Sequence, residues 1–369
     1  MAEAAGRVVL VLGTSAGGVG RHVRMLAGGL ARDGRQVVVA GPASTDEAFG
    51  FAGVARFVEV PISDRPRPLS DVRAVERLRR VTSRADVVHA HGLRAGALAA
   101  LALAGRRTRL VVTLHNALTA TGAIGAIYGV LERIVAKKAD LLLVVAPDLG
   151  ERMRARGARS VADAVVPAPP LAPPRRTVEE VRAELEPGDR PILLTIARLA
   201  QQKGLETLLD AARGPYPGPG PLFVVAGEGP LRGGLQERVD AEELPVRLLG
   251  DRADVADLLQ AAGALLVPSR WEGQPLNVQE ALRAGTPIIA TAVGGIPGMV
   301  GDAALLVPPG DAEALRREIA RLLADPGLAG RLSAAAAARP LPDEEAALRA
   351  VREAYWALPD TEPPVPFKG

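Results

Sequence analysis

The chain has 369 residues, of which 48% are hydrophobic and 24% charged, so it is long and apolar enough for two folded domains. It contains no cysteine, which excludes disulfides, thiolate metal sites, iron–sulfur clusters and a cysteine nucleophile. The longest apolar stretch, residues 95–104, is about half of the roughly 20 residues that span a membrane, and residues 1–13 lack a signal-peptide pattern. The sequence therefore predicts a cytoplasmic protein.

Charge is distributed unevenly between the two halves of the chain. Residues 1–170 carry 24 Lys and Arg against 14 Asp and Glu, whereas residues 171–369 carry 21 against 28. We therefore expect the halves to meet different partners. Aromatic residues make up only 3% of the chain, which leaves little to stack bases on, so no nucleic-acid partner is expected.

In the first half, short apolar runs alternate with segments of helical periodicity. Residues 8–12 form one such run, followed by a glycine-rich turn and a helical pattern that Gly34 ends. Further strand-like runs lie at residues 37–40, 87–90, 110–114 and 141–145. Apolar runs joined by helices are typical of a parallel sheet that is buried on both faces.

A proline-rich segment at residues 165–174 predicts a semi-rigid linker. Beyond it the alternation resumes, with strand-like runs at residues 192–196, 222–226, 246–249, 264–267, 288–290 and 304–307. The last helical pattern, residues 344–356, precedes a proline-rich tail that is predicted to be mobile. We therefore predict an N-terminal α/β domain (1–170), a C-terminal α/β domain (171–345), and a C-terminal helix and tail (346–369) able to pack back on the first domain.

A glycine-rich loop at residues 13–20 would let backbone amides approach a ligand at a helix N-terminus. Arg21 and His22 follow it, where a phosphate-binding P-loop needs Lys and then Ser or Thr. The second strand ends without the carboxylate that a dinucleotide site places on a ribose. Both of those classes are therefore disfavoured, while a plain tight turn and another kind of ligand loop stay open.

All four histidines lie in the first half, and three of them end predicted strands. His89 and His91 would share one face of an extended segment as a candidate metal pair, but no neighbouring Asp or Glu completes a ligand set, so no metal is expected. His115 directly follows a buried strand. There it can contact a substrate or make a structural hydrogen bond, and both interpretations stay open.

The second half contains a pair of cations at a predicted strand-to-helix turn. Arg198 and Lys203 lie five residues apart, a pairing able to bind one polyanion such as a diphosphate. Only four of the 45 basic residues are lysines, so Lys203 indicates a need for a compact point charge. A solvated surface lysine is the alternative.

The stretch at residues 267–282 runs from a strand through a turn into a helix whose free N-terminal amides would hold an anion. Glu272 lies before the turn and Glu280 within the helix, so two carboxylates can flank one ligand. Glycine-rich loops at residues 227–230 and 294–298 follow other strands of the same predicted sheet. Parallel sheets bind ligands at this edge, outside the carboxyl ends of their strands.

Taken together, these motifs resemble the retaining nucleotide-sugar glycosyltransferases of family four. The resemblance covers nearly the whole chain and is carried by the loop 17–20, the strand end 113–115, Arg198 with Lys203, the loop 227–230, and Glu272 with Glu280 in the E-x7-E arrangement. It implies the GT-B fold, in which two Rossmann-like α/β domains with parallel sheets face a central cleft.

The resemblance also implies roles for individual residues. Arg198 and Lys203 would bind the donor diphosphate in place of a metal, and no DXD motif occurs. Glu272 would lie beside the donor sugar, and Glu280 would accept from the ribose. The remaining implied contacts are His115 with the donor sugar, Gly18 with phosphate and acceptor, and the donor-binding positions Gly227, Gly273, Gln274, Leu276 and Asn277.

The expected activity is the transfer of a hexosyl or N-acetylhexosaminyl group, with retention of configuration, from a UDP-sugar rather than a GDP-sugar. Neither a metal nor another cofactor is expected. The sequence does not define the acceptor: the basic first half and the segment 124–138 suit an anionic or lipid-linked acceptor at the inner face of an anionic membrane, and a soluble acceptor stays open. The alternative for that segment is packing on its own sheet, and the alternative activity is a nucleotide-sugar epimerase of the same fold.

Overall fold

The computed structural model describes residues 6–15, 17–63, 65–117 and 122–356. These residues form two compact units, one running to Pro167 and resuming at Pro342, the other comprising Ala168–Leu341. The first unit thus ends three residues before the predicted boundary at residue 170. The reason is that the backbone N–H of Ala168 donates to Gln279 Oε1 at 2.8 Å, which binds the middle of the linker to the second unit.

The first unit contains a seven-stranded parallel sheet in the order β3-β2-β1-β4-β5-β6-β7. Its strands, β1 to β7, are Arg7–Leu12, Gln36–Gly41, Arg56–Glu59, Val87–His91, Arg109–Leu114, Leu141–Val144 and Val161–Asp163. The strands predicted from apolar runs are confirmed. Sequence patterns missed β3 and β7, the two edge strands, because both are short and only half-buried and therefore lack a continuous apolar run.

Helices cover the sheet of the first unit. They are α1 (Gly18–Arg32), α2 (Ala43–Phe49), α3 (Pro68–Val81), α4 (Leu93–Ala102), α5 (Gly122–Lys138), α6 (Pro147–Ala155) and, from the C-terminal end, α15 (Glu344–Trp356). Helices α3, α4 and α5 pack side by side, whereas α1 packs against α2 and α15. The tail that was predicted to be mobile, residues 357–369, lies outside the described residues.

Helix α15 packs against α1 within the first unit. A Cβ atom at Gly29 would lie 2.4 Å from Leu348 Cδ2, so the glycine leaves room for this leucine. At the end of α15, the Trp356 ring stacks 4.3 Å from the guanidinium carbon of Arg35. The neighbouring residue, Tyr355, is buried in the core of the first unit.

The second unit contains a six-stranded parallel sheet in the order β10-β9-β8-β11-β12-β13. Its strands, β8 to β13, are Ile192–Ile196, Leu222–Ala226, Val246–Gly250, Ala264–Val267, Ile288–Thr291 and Ala304–Val307, each within one residue of its predicted run. The helices are α7 (Val178–Leu185), α8 (Leu205–Ala212), α9 (Arg232–Ala241), α10 (Val255–Ala261), α11 (Leu276–Ala284), α12 (Ile296–Val300), α13 (Ala312–Ala324) and α14 (Pro326–Ala338).

Side chains of each central strand alternate between two apolar clusters, one on either face of this sheet. Phe223 and Val225 belong to one cluster, whereas Leu222 and Val224 belong to the other. Burial on both faces explains why these strands appear in the sequence as unbroken apolar runs. Two parallel-sheet α/β domains, as predicted, are thus confirmed. In the described part of the chain, no helix is long and apolar enough to cross a bilayer.

Candidate functional site

The predicted donor-site residues of the second half gather at one edge of the second sheet. Strands β9, β8, β11 and β12 are consecutive neighbours in this sheet, so the loops that follow them meet at its carboxyl edge. Arg198 and Lys203 follow β8, Gly227 follows β9, and Glu272 follows β11. Gly294 follows β12. The fold therefore places the separate motifs of the second half side by side.

An ion pair joins two of these loops. Lys203 Nζ lies 2.6 Å from Glu272 Oε1, and Ser269 Oγ donates a hydrogen bond of 2.7 Å to the same oxygen. Glu272 is only 5% exposed, whereas the Lys203 side chain is 24% exposed. The carboxylate is thus held by two donors, while the lysine side chain stays partly exposed to solvent. Sequence reasoning identified Lys203 and Glu272 but not their pairing, and it missed Ser269, whose only signal is its position three residues before Glu272.

The backbone around Lys203 is held by the loop after β11. Lys203 ends a short 3-10 turn, Gln201–Lys203, and the carbonyl of Gln202 in that turn accepts from the Arg270 amide at 2.8 Å. Gly204 follows with φ +61°, and a Cβ there would lie 2.0 Å from the carbonyl oxygen of Pro268. Only glycine allows the two loops to approach this closely.

The loop after β12 holds the backbone of Glu272. Gly294 has φ +52°, and a Cβ on it would lie 1.8 Å from the Glu272 carbonyl oxygen. The amide of Gly295 donates to that same oxygen at 3.1 Å. The glycines of this predicted loop therefore have a structural purpose, which is to position the loop that carries Glu272.

Gly227 likewise allows two backbone segments to approach closely, here next to Ala197, the residue before Arg198. Its φ is +142°, and a Cβ would lie 2.0 Å from the carbonyl oxygen of Ala197. Its amide donates to the Gly250 carbonyl at 2.7 Å, so this N–H is used within the protein. Arg198 itself is exposed and makes no ion pair with any residue that the structure describes. It is therefore a cation at the sheet edge that an anionic ligand can reach.

Helix α11 begins directly after the Glu272 loop. Asn277 donates through Nδ2 to the Ile196 carbonyl at 2.8 Å and accepts from the Val278 amide at 2.9 Å. Its side chain thus ties α11 to the end of β8. The other predicted positions here differ in burial: Gly273 is buried, while Gln274, Leu276 and Glu280 are half-buried.

In the first unit, all four histidines of the chain form one cluster. His89 and His91 lie on β4, His115 follows β5, and His22 lies in the second turn of α1. Their ring centroids are 4.1 Å (His89–His91), 5.4 Å (His91–His115), 5.9 Å (His22–His91) and 5.8 Å (His22–His115) apart. The three histidines that end predicted strands therefore lie close together, and His22 joins them from a helix.

Hydrogen bonds order this cluster. The His89 ring bonds Tyr355 Oη and Thr113 Oγ1, both at 2.7 Å, and His91 Nδ1 lies 3.2 Å from His115 Nε2. Burial lowers the pKa of His22 to about 4. The pKa of His89 is lowered to about 3, mainly by burial and to a smaller extent by the charge of His22.

Burial also holds the pKa of His91 and His115 well below the usual range, so the whole cluster is neutral near pH 7. Across the described ranges, no group of three or more His, Asp or Glu side chains is arranged to hold a metal ion.

The glycine-rich loop of the first half leads into α1. Gly18 is the first residue of the helix, and Gly17 before it has φ +96°. A Cβ at Gly20 would lie 2.2 Å from Phe49 Cε2, so packing against α2 explains this third glycine. Of the glycines at 17–20, Gly17 and Gly18 are therefore the two whose presence ligand binding can still explain.

Helix α5 contains the segment that was predicted either to meet a membrane or to pack on its sheet. Val135 is fully buried, which confirms packing for one face of the helix. Ile127 and Val130 are 46% and 51% exposed, so packing does not account for the other face.

Comparison with known protein families gives two matches, one for each unit. Residues 17–169 match the glycosyl transferase 4-like domain, and residues 177–339 match the glycosyl transferases group 1. The two matched ranges together span most of the described chain.

Several characterised proteins are similar in sequence. A 2-deoxystreptamine N-acetyl-D-glucosaminyltransferase of Streptomyces fradiae is 34% identical over 42% of this chain and 39% of its own length. An alpha-D-kanosaminyltransferase of Streptomyces kanamyceticus is 30% identical over 59% and 60%. The chain thus spans less than two thirds of either protein. A phosphatidyl-myo-inositol mannosyltransferase of Mycobacterium leprae is 30% identical over 87% of both chains.

Solved structures share the fold. Sucrose-phosphate synthase from Thermosynechococcus elongatus has a TM-score of 0.74 and 23% identity, covering 95% of this chain and 98% of its own. Anabaena HepE in complex with UDP and glucose has a TM-score of 0.77 and 20% identity, covering 95% and 99%. The epimerase alternative gains no support from these relatives.

Proposed function

Because this chain belongs to the family-4-type glycosyltransferases with the GT-B fold, we propose that it transfers a hexosyl or N-acetylhexosaminyl group from a nucleotide sugar to an acceptor. The observation that carries this proposal is the Lys203–Glu272 pair beside the exposed Arg198 at the carboxyl edge of the second sheet. A nucleotide-sugar transferase needs positive charge where its diphosphate leaves, and this edge supplies two cations.

Lys203 would exchange partners when the donor binds. In the structure its ammonium group pairs with Glu272, and a diphosphate carries more negative charge than one carboxylate, so the ligand can draw Lys203 away from this pair. Arg198 would add a planar donor set to the same phosphates. Positive charge from these two side chains would stabilise the leaving nucleotide without a metal ion.

Glu272 would then have a free carboxylate oxygen for hydroxyls of the donor sugar, while Ser269 keeps its orientation. Glu280 would accept from the ribose, and backbone amides between Gly273 and Asn277 would contact sugar and phosphate. The transferred sugar would keep its configuration, since the leaving phosphate oxygen can take the acceptor proton on the same face. Charge stabilisation and positioning, rather than a strong protein base, would supply the rate enhancement.

The first unit would contribute a hydroxyl-binding group. His115 is neutral near pH 7 because of burial, so it suits a hydrogen bond to a sugar hydroxyl better than an ionic contact. Gly18, at the start of α1, would bring backbone amides near phosphate and acceptor.

UDP is the proposed nucleotide, with support from HepE, which shares the fold and binds UDP. Thermal-shift assays with UDP, GDP and ADP test this choice. A ligand that binds only the folded protein raises its stability by about 2.7 kcal/mol at one hundred times Kd. We expect a rise in Tm with UDP that Lys203→Ala removes and Lys138→Ala, a surface control in the first unit, leaves unchanged. Folded protein that responds to no nucleotide would contradict the proposal.

Incubation with a UDP-sugar alone separates the transferase from the epimerase. The transferase is expected to release at most slow hydrolysis products when no acceptor is present. Release of an epimeric UDP-sugar would favour the alternative activity.

The proposed acceptor side is an anionic membrane surface, because three adjacent helices of the first unit each carry exposed apolar side chains. Leu69 and Val72 on α3 are 81% and 58% exposed, Leu101 on α4 is 46% exposed, and Ile127 and Val130 on α5 are 46% and 51% exposed. Several exposed apolar side chains on neighbouring helices favour an interaction surface.

The same helices also carry basic side chains. The exposed cations on α3 and α5 are Arg73, Arg77, Arg79, Arg80, Arg133, Lys137 and Lys138, and they outnumber the exposed carboxylate of α3, Glu76. On α5 the only carboxylate, Glu132, is buried and paired with Arg152 at 2.7 Å, so it does not offset them. Apolar side chains among cations are complementary to anionic lipid, where an anionic or lipid-linked acceptor would be presented.

Vesicle flotation tests this surface. We expect the protein to float with vesicles containing phosphatidylglycerol, but not with pure phosphatidylcholine, and to be released at high salt. The double variant Leu69→Ser, Val72→Ser should reduce binding several-fold. Leu306→Ser, which changes an exposed leucine of the second unit, is the matched control. Equal binding to both kinds of vesicle, or to none, would contradict the membrane proposal.

A further inference from the structure

The His115 ring is engaged by another histidine within its own unit. β4 and β5 are paired in register, with His91 opposite Thr113, so the side chain after β5 lies next to His91. The His91 and His115 rings are stacked at 23° with centroids 5.4 Å apart, and His91 Nδ1 lies 3.2 Å from His115 Nε2. Because Nε2 is occupied, Nδ1 is the ring nitrogen of His115 that can serve a ligand.

His91 is itself firmly held. It is 3% exposed, and the His89 ring lies 4.1 Å from its ring. His89 is in turn fixed by hydrogen bonds on both nitrogens, to Tyr355 of α15 and to Thr113 of β5. The half-buried His115 has no comparable support from its own strand, since β5 ends at Leu114. His22 contacts this ring edge-on with centroids 5.8 Å apart, but among the described residues the hydrogen bond to the ring comes from His91, which therefore fixes its orientation.

The hydrogen-bonding pattern also defines which nitrogen carries the proton. Neutral imidazole has one donor and one acceptor nitrogen. His91 Nε2 is buried and has no hydrogen-bond partner among the described residues. A buried N–H without an acceptor is rarer than an acceptor without a donor, so the proton of His91 belongs on Nδ1. It then donates to His115 Nε2, and His115 carries its own proton on Nδ1.

We propose that His91 is a positioning residue that fixes both the ring and the tautomer of His115, so that His115 presents an Nδ1–H donor to an oxygen of the donor sugar. This inference rests on the proposed function, in which His115 contacts that sugar. It assigns His115 the role of donor rather than base, and it gives His91, His89 and Tyr355 a shared purpose that reaches from α15 to the site.

NMR of the wild-type protein tests the tautomer directly. With 15N-labelled histidine, the chain gives only four ring spin systems, and each neutral tautomer has a characteristic pair of ring nitrogen shifts. We expect His115 to be the Nδ1–H form throughout the folded protein at pH 7.5. The Nε2–H form, or a mixture of both, would overturn the proposal without any variant being made.

Two substitutions at His91 separate positioning from simple packing. The side-chain amide of His91→Asn can place a donor where Nδ1 lies, whereas that of His91→Gln reaches the place of Nε2. We expect His91→Asn to keep the Nδ1–H form of His115 and to retain transfer within about threefold. His91→Gln should give a mixture of tautomers and lower kcat/KM about tenfold, as the loss of one hydrogen bond of roughly 1.4 kcal/mol would.

UDP affinity should stay unchanged in both variants, because the diphosphate residues lie in the second unit. Equal tautomers and equal transfer rates in the two variants would reduce His91 to a packing residue. Since the NMR result is independent of activity, a wild-type protein with the expected tautomer but no UDP response would contradict the proposed function alone. The two failures are therefore distinguishable.

Discussion

The two units place polar side chains at their sheet edges in opposite electrostatic states. In the first unit, burial keeps the imidazoles of His22, His89, His91 and His115 neutral. In the second unit, Glu272 is almost as buried, yet it lies 2.6 Å from Lys203 as an ion pair. Isolated charge is costly to bury, whereas paired charge can be retained. The difference supports the proposed roles, hydroxyl recognition by the first unit and phosphate recognition by the second.

The largest effect is expected from removing the cation of the second unit. Lys203→Ala takes away a charge that would stabilise the leaving diphosphate, and loss of one such group lowers kcat by about 10²- to 10³-fold. Steady-state kinetics with a UDP-sugar would measure it. Arg317→Ala, which removes an exposed cation of α13, should have wild-type kinetics. Equal kinetics in Lys203→Ala and wild type would show that the ion pair serves stability alone.

As the pH is lowered, the two units should unfold at different pH values, because their titrating groups differ. A histidine whose pKa is lower in the folded than in the unfolded state makes the folded protein less stable as the pH falls below about 6.5. The reason is that the unfolded chain takes up protons first. For His22, with a folded pKa of about 4, the cost between pH 7 and pH 5 is about 2 kcal/mol. In the second unit, hydrogen bonds from Arg252 and Arg176 lower the pKa of Glu184 to about 2, so its contribution is lost only below about pH 4.5.

Tryptophan fluorescence can follow each unit separately. The chain has two tryptophans, Trp356 in the first unit and Trp271 in the second. We expect Trp271→Phe, which reports the first unit, to show acid unfolding at higher pH than Trp356→Phe. Adding His22→Gln should move only the first transition to lower pH. Coincident transitions would contradict the assignment of the two pH ranges.

Sequence patterns predicted the fold better than the contacts that complete the site. Strands such as β8 and β11 could be predicted from local apolar runs, because a strand that is buried on both faces has apolar residues at consecutive positions. The Lys203–Glu272 pair joins residues 69 positions apart, and the Tyr355–His89 bond spans 266. Neither contact has a local pattern, since each depends on how separate elements pack.

The same limit applies to glycines that were interpreted as ligand-binding. Gly20 is explained by Phe49, whose ring atom would lie 2.2 Å from a Cβ. A glycine in a loop has the same sequence signal whether a ligand or the protein backbone occupies the space beside it. Only the neighbours identified by the fold distinguish the two cases.

Gly227 offers the smallest and most local test of the second unit. Gly227→Ala would place a Cβ 2.0 Å from the Ala197 carbonyl at φ +142°, and we expect a loss of about 1–3 kcal/mol in unfolding free energy. Because the clash lies next to Arg198, UDP affinity should fall as well. Gly233→Ala, in α9 with open space around its Cβ, should instead be neutral or slightly stabilising. Urea unfolding and thermal shift with UDP measure both effects. If Gly227→Ala lowered stability but left UDP affinity intact, the loop after β9 would support the sheet without shaping the anion site, and the contrast between the units would depend on Lys203 and Arg198 alone.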